Sequence, residues 1–121
     1  KNNTRLYFIN TSNHPMEIPD IQNLSTDADI ERAARCLKAM SHPLRLKILC
    51  VLGTEKMSVQ DIVEKVGTSQ SNISQHLAIL REKDILNYNK DANRVFYYID
   101  DPRMLKLIEM MRQIFCSNPH F

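Results

Sequence analysis

The sequence predicts a mainly α-helical domain that carries one β-hairpin near its end. Three observations predict it. Apolar residues recur at steps of three and four from Ile30 to Leu80, the spacing of amphipathic helices. At Ile85 the pattern switches to branched and aromatic runs, 85–90 and 94–99, separated by Asp91-Ala92-Asn93, which reads as two strands and a turn. Beyond them, Asp101-Pro102 supplies a cap and a first helical position for a last, strongly apolar helix.

Each element has its own signal. Residues 1–24 show no sustained period and contain Pro15 and Pro19; they read as a partly mobile N-terminal extension. Thr26 and Asp27 are good helix caps, and Ile30, Ala33, Ala34, Leu37 and Met40 form the stripe of a first helix. Pro43 opens a second, apolar on most sides, which Gly53 stops. Ser58-Val59-Gln60-Asp61 resembles a capping box with Asp in the Glu position, and Val59, Ile62, Val63 and Val66 give this third helix a buried face. Gly67 ends it. After Thr68 alone, Ser69 caps a fourth helix running to about Lys83, with Ile73, Leu77 and Leu80 inward. Two short helices across a tight glycine turn make a helix-turn-helix, and the hairpin that follows stands where a wing would. The reading is one winged helix-turn-helix domain over residues 25–118, with a short tail at 119–121.

The last helix carries Met104, Leu105, Leu107, Ile108, Met110, Met111, Ile114 and Phe115. That is too much apolar surface for a helix with one wet side. A homodimer is expected, with the first and last helices in its interface.

Composition narrows the function. The 121 residues suit one core, and 25% charged residues with 43% hydrophobic ones describe a globular chain. Two glycines argue against a phosphate-cradling loop. No apolar run approaches the roughly 18 residues of a membrane span, so no membrane partner is expected. Three cysteines are poor material for a disulfide scaffold, and the expected compartment is the reducing cytoplasm. No Ser-His-Asp set and no paired carboxylates in an apolar setting can be assembled, so no enzyme activity and no cofactor are expected.

The chemistry lies in Thr68, Ser69, Gln70, Ser71, Asn72, Ser74, Gln75 and His76. With Ile73 and Leu77 inward, Gln70, Ser71, Ser74 and Gln75 stand on the opposite face, flanked by Asn72 and His76. Amide side chains pair with adenine in two places, and hydroxyls donate or accept. The free amides beside Thr68 and Ser69 suit a phosphate. At the hairpin tip, Lys90, Asn93 and Arg94 are placed for a flanking phosphate or the minor groove. The expected partner is double-stranded DNA.

Two stretches carry a resemblance. Residues 37–49, Leu-Lys-Ala-Met-Ser-His-Pro-Leu-Arg-Leu-Lys-Ile-Leu, and 70–77, Gln-Ser-Asn-Ile-Ser-Gln-His-Leu, resemble the ArsR/SmtB family of bacterial repressors over about residues 30–117. The resemblance implies a dimer that binds an imperfect inverted repeat as its operator and lets go when an inducer is sensed. The family's metal-site patterns are missing: the third helix has no cysteine, and the last has no histidine before His120. Metal ligands are therefore not expected. Cys50, ending the second helix, and Cys116, ending the last, resemble the dithiol, reactive-sulfur and redox-sensing SqrR/BigR/HlyU group. That likeness implies operator release when Cys50 and Cys116 are cross-linked by persulfide or an oxidant. Cys36 lies outside the pair and reads as structural. The alternatives are a metal-responsive repressor with an unrecognised site and a winged-helix regulator that senses nothing.

Overall fold

Residues 6–9, 15–18 and 26–116 are described by a computed structural model, in two compact units, 1–34 and 35–121. In the first unit, β1 (Leu6–Ile9) and β2 (Pro15–Ile18) pair antiparallel, with Leu6 opposite Ile18 and Ile9 opposite Pro15. The sequence reading placed no strand there. Leu6-Tyr7-Phe8-Ile9 is apolar throughout and lacks the alternation that betrays a half-buried strand. The rest of the expected extension and the tail at 119–121 fall outside the described residues.

Five helices follow among the described residues, interleaved with a small sheet: α1 (Asp27–Met40), α2 (Pro43–Leu52), β3 (Met57–Ser58), α3 (Val59–Val66), α4 (Gln70–Glu82), β4 (Asn87–Asp91), β5 (Arg94–Tyr98) and α5 (Pro102–Phe115). The expected winged helix-turn-helix is the fold found. Its boundaries follow the caps. Ser58 Oγ accepts from Asp61 N at 3.2 Å, Ser69 Oγ from Asn72 N at 3.2 Å, and Asp101 Oδ1 from Arg103 N at 2.9 Å, each satisfying an amide that the helix start leaves free. Gly67 adopts φ 86°, ψ 35°, the left-handed conformation glycine takes without strain, and this lets α4 begin after only three intervening residues.

The wing differs from expectation in its register. Ile85 and Leu86 are not strand residues; they are buried in the core, 2% and 3% exposed. Asp91 belongs to β4, opposite Arg94, so Ala92 and Asn93 alone form the turn. Ala92 has φ 55°, a conformation that costs a residue bearing a Cβ about 1–2 kcal/mol. The sheet also has a third strand: Met57 pairs with Tyr97 and Ser58 with Phe96, giving the order β3-β5-β4.

The core of the second unit is filled by Met40, Ile48, Leu49, Leu52, Ile62, Ile73, Leu77 and Leu80, all nearly inaccessible. It holds α3 and α4 against α2. α5 is different: Ile108 is its one buried residue, while Met110, Ile114 and Phe115 are 55%, 64% and 80% exposed. Among the described residues, no helix is long and apolar enough to cross a membrane.

Candidate nucleic-acid interface and thiol pair

α4 has one face built for the core and one for something wet. Ile73 and Leu77 are fully buried, and Gln70, Ser71, Ser74 and Gln75 are exposed. Its first turn carries no acidic residue, so the partial positive charge of the helix start is left uncompensated. Around that start the side chains are held by one another. Asn72 Nδ2 donates to Thr68 Oγ1 at 3.1 Å, and the Ser69 and Ser71 hydroxyls lie 3.4 Å apart. Gln70, Ser74 and Gln75 are thus presented on a helix whose entry is fixed. A rigid, acid-free helix N-terminus with amides and hydroxyls on its outer face is chemically suited to base edges and phosphates.

His76 departs from expectation. It was placed on the flank of the reading face, but it is buried, 9% exposed, and turns toward α2. Arg45 Nη1 lies 3.2 Å from His76 Nδ1, and the His42 and His76 ring centroids are 4.5 Å apart. Burial, then His42, then Arg45 hold the His76 imidazole below the ordinary histidine range. The sequence reading also missed two basic residues that steady the helix-turn-helix. Arg45 additionally donates through Nε to the Ala39 carbonyl, and Lys47 Nζ donates to the Val66 carbonyl at 3.0 Å, securing the end of α3 just before the turn. Their signal was present: Arg45 and Lys47 interrupt an otherwise apolar α2 at positions that face α3 and α4.

The wing is tied to the other end of α4. The Arg81 guanidinium lies 4.0 Å from the Tyr88 ring centroid and donates to its hydroxyl at 3.1 Å. Lys90, Asn93 and Arg94 are all exposed around the turn, with Arg94 5.3 Å over the Phe96 ring. The wing tip therefore presents two cations and an amide at a fixed offset from α4.

The thiols lie on other elements, Cys36 on α1, Cys50 on α2 and Cys116 just beyond α5. Cys50 and Cys116 are free and exposed, and Cys36 is free and half-buried. Burial raises the Cys50 thiol above its ordinary range; Arg112 opposes this, while Cys116 and Glu109 add to it. The groups that modulate the Cys50 thiol of α2 therefore include three on or just beyond α5, one of them the second thiol. Cys36 is also raised, by burial alone. Among the described residues, no three His, Cys, Asp or Glu side chains gather as a metal site.

Comparison with known proteins decides the family. Residues 42–88 match the family model described as bacterial regulatory protein, arsR family. The transcriptional activator HlyU of Vibrio cholerae is 34% identical over 103 residues, which span 85% of this chain and 91% of HlyU. The chain belongs to the ArsR family. The HTH-type transcriptional regulator YgaV of Escherichia coli is 39% identical over 90 residues, covering 74% of this chain and 91% of YgaV. Among solved structures, HlyU from Vibrio cholerae superposes with a TM-score of 0.71 at 35% identity, covering 76% of this chain and all of that one. The transcriptional repressor BigR from Xylella fastidiosa superposes with a TM-score of 0.67 at 31% identity, covering 78% and 100%. This ArsR-family member is a DNA-binding transcriptional regulator, and the matched segment contains the whole of α2, α3 and α4.

Proposed function

We propose that this regulator is a dimeric repressor that binds an imperfect inverted repeat and releases it when Cys50 and Cys116 are joined by reactive sulfur or an oxidant. α4 enters the major groove with Gln70, Ser71, Ser74 and Gln75 toward the bases. Thr68, Ser69 and Asn72 shape its phosphate-facing start, and Lys90, Asn93 and Arg94 reach the flanking backbone. The exposed apolar residues of α5, together with α1, supply the dimer contact. It is a regulator without catalysis or cofactor, working in the cytoplasm.

The sensing part is supported by one feature: Arg112 of α5 and the Cys116 thiol just beyond it, both far from Cys50 in sequence, are among the groups that shift the Cys50 thiol of α2. Hydrogen peroxide takes two electrons and two protons from the thiol pair, leaving a disulfide and two waters. Two molecules of an organic persulfide convert the pair to a trisulfide, releasing two thiols and one hydrogen sulfide. Either bridge ties the end of α5 to α2. Because α5 also forms the dimer contact, the separation of the two reading helices changes, and they no longer match half-sites about one DNA turn apart.

The test begins with a duplex selected from a randomised library by the reduced protein. Glutathione persulfide should release it and leave a Cys50–Cys116 bridge in the non-reducing peptide map. Cys50→Ser and Cys116→Ser should each bind the duplex and stay bound under the same treatment. Undiminished release from either variant would remove the thiol pair from the mechanism.

A further inference from the structure

The His76 geometry bears on how the reading helix is held. In both histidines of the cluster, Nδ1 faces a donor. Leu44 N donates to His42 Nδ1 at 3.1 Å, capping α2. Arg45 Nη1 lies 3.2 Å from His76 Nδ1, and a guanidinium has only donors to offer. His76 therefore accepts at Nδ1 and carries its proton on Nε2. A second proton on His76 would point an N–H at the guanidinium and place a cation between Arg45 and the His42 ring, inside a nearly closed site. His42 and Arg45 are the titratable and charged groups that face it.

Arg45 also binds the Ala39 carbonyl, and the neighbouring Lys47 holds the Val66 carbonyl beside the turn. One edge of α2 thus secures both helices of the helix-turn-helix. His76 is the point where that edge meets the reading helix itself, one residue beyond Gln75.

We propose that Arg45 and His76 position the reading helix for DNA, and that they do so only while His76 is uncharged, so that duplex binding weakens on acidification. The proposal rests on α4 being the DNA-reading element. Its sign is diagnostic. For most DNA-binding proteins, acidification adds positive charge and tightens the hold on phosphates. Here the DNA-competent arrangement excludes the protonated form. Affinity is level while His76 is neutral and falls by about tenfold for each pH unit below its titration midpoint. That midpoint lies below the ordinary histidine range, because burial, His42 and Arg45 all disfavour the charge.

The experiment measures affinity of the reduced protein for its selected duplex by fluorescence anisotropy, from about pH 8 to about pH 5 at fixed ionic strength. The variant is His76→Asn, whose Oδ1 replaces Nδ1 as acceptor for Arg45 and cannot titrate. Wild-type affinity should fall on acidification, whereas the variant's affinity, whatever its level at neutral pH, should not change with pH. A merely structural role would weaken the variant equally at every pH. Wild-type affinity that is level or rises in acid overturns the proposal, as does a parallel fall in both proteins. A second reading needs no variant: titration of the His76 ring by NMR should show its midpoint pushed lower by the duplex, and an unchanged or raised midpoint overturns the proposal. Failure of the reduced wild-type protein to select any duplex at neutral pH would instead defeat the DNA-reading role, and this inference with it.

Discussion

The reading helix α4 and the last helix α5 are of similar length, and both begin with a side-chain cap, yet they are finished to different degrees. α4 buries Ile73, His76, Leu77 and Leu80 and is gripped by Arg45 at one side and Tyr88 at its end. α5 buries Ile108 alone and leaves Phe115 80% exposed. Exposed apolar area on that scale marks a surface made for a partner. The comparison teaches that the chain's own packing completes α4 but leaves the apolar end of α5 open, the end that the proposed function assigns to the dimer contact and to sensing. Under that proposal, a signal delivered to α5 would act where the fold has least of its own to resist with.

The largest expected effects break the comparison from each side. Leu77→Ala in α4 should lower unfolding free energy by about 3 kcal/mol, in the range for a large core side chain cut to Ala. The loss should appear at every protein concentration in a urea titration. Phe115→Asp in α5 should leave the far-UV circular dichroism of the chain intact but convert a dimer to a monomer in sedimentation equilibrium. It should also weaken duplex binding by about 10²-fold, since the second half-site is no longer tethered. A Phe115→Asp protein that still sediments as a dimer would assign the interface elsewhere.

The thiol pair sharpens the same contrast. Because the Cys50 thiol lies above its ordinary range, the nucleophilic thiolate is scarce at neutral pH. Its alkylation rate should climb about tenfold for each pH unit until the midpoint is passed. Arg112→Ala removes a nearby charge that favours the thiolate and should slow alkylation at any fixed pH below that midpoint. Mass-spectrometric rates for the Cys50 peptide would show both effects, and an Arg112→Ala rate equal to wild type would remove the guanidinium from the account.

The same division governs what the sequence disclosed. Features written in local spacing were legible: the caps Ser58, Ser69 and Asp101, Pro43 and Pro102 at helix starts, the Gly67 turn, and Ile73 and Leu77 four apart. Those fixed by a distant partner were not. β3 is two residues long and exists because Met57 and Ser58 meet Tyr97 and Phe96. His76 looked like a flank residue because a polar side chain three positions after Ile73 borders the apolar stripe; Arg45, 31 positions earlier, draws it inward. Ile85 and Leu86 have strand composition but fill the core before β4 begins. Ser69 tests how far local signals suffice: Ser69→Ala should cost about 1 kcal/mol. It should also loosen duplex binding, because the cap organises the helix start that the proposed function sets against the phosphate.

Asp101, the cap of α5, provides the counterpart to Ser69 and the smallest expected effect. Its carboxylate accepts from the Arg103 amide at 2.9 Å and pairs with the Arg103 guanidinium at 2.7 Å. The Arg103 side chain first, and its backbone amide next, hold Asp101 below the ordinary carboxylate range. A depressed folded value means the stabilisation is fully present above the unfolded value and is lost as pH falls through the folded one. The loss therefore occurs in the acid range, beneath the ordinary aspartate value. The pair is exposed, so salt screens it and its contribution to stability is slight. Asp101→Asn keeps a capping oxygen but removes the charge. Its urea midpoint should differ from wild type by a small margin at neutral pH and converge with it in acid, and the neutral difference should shrink in high salt. A full difference that persists in both conditions would show that something other than the charge separates Asp101 from Asn at this cap.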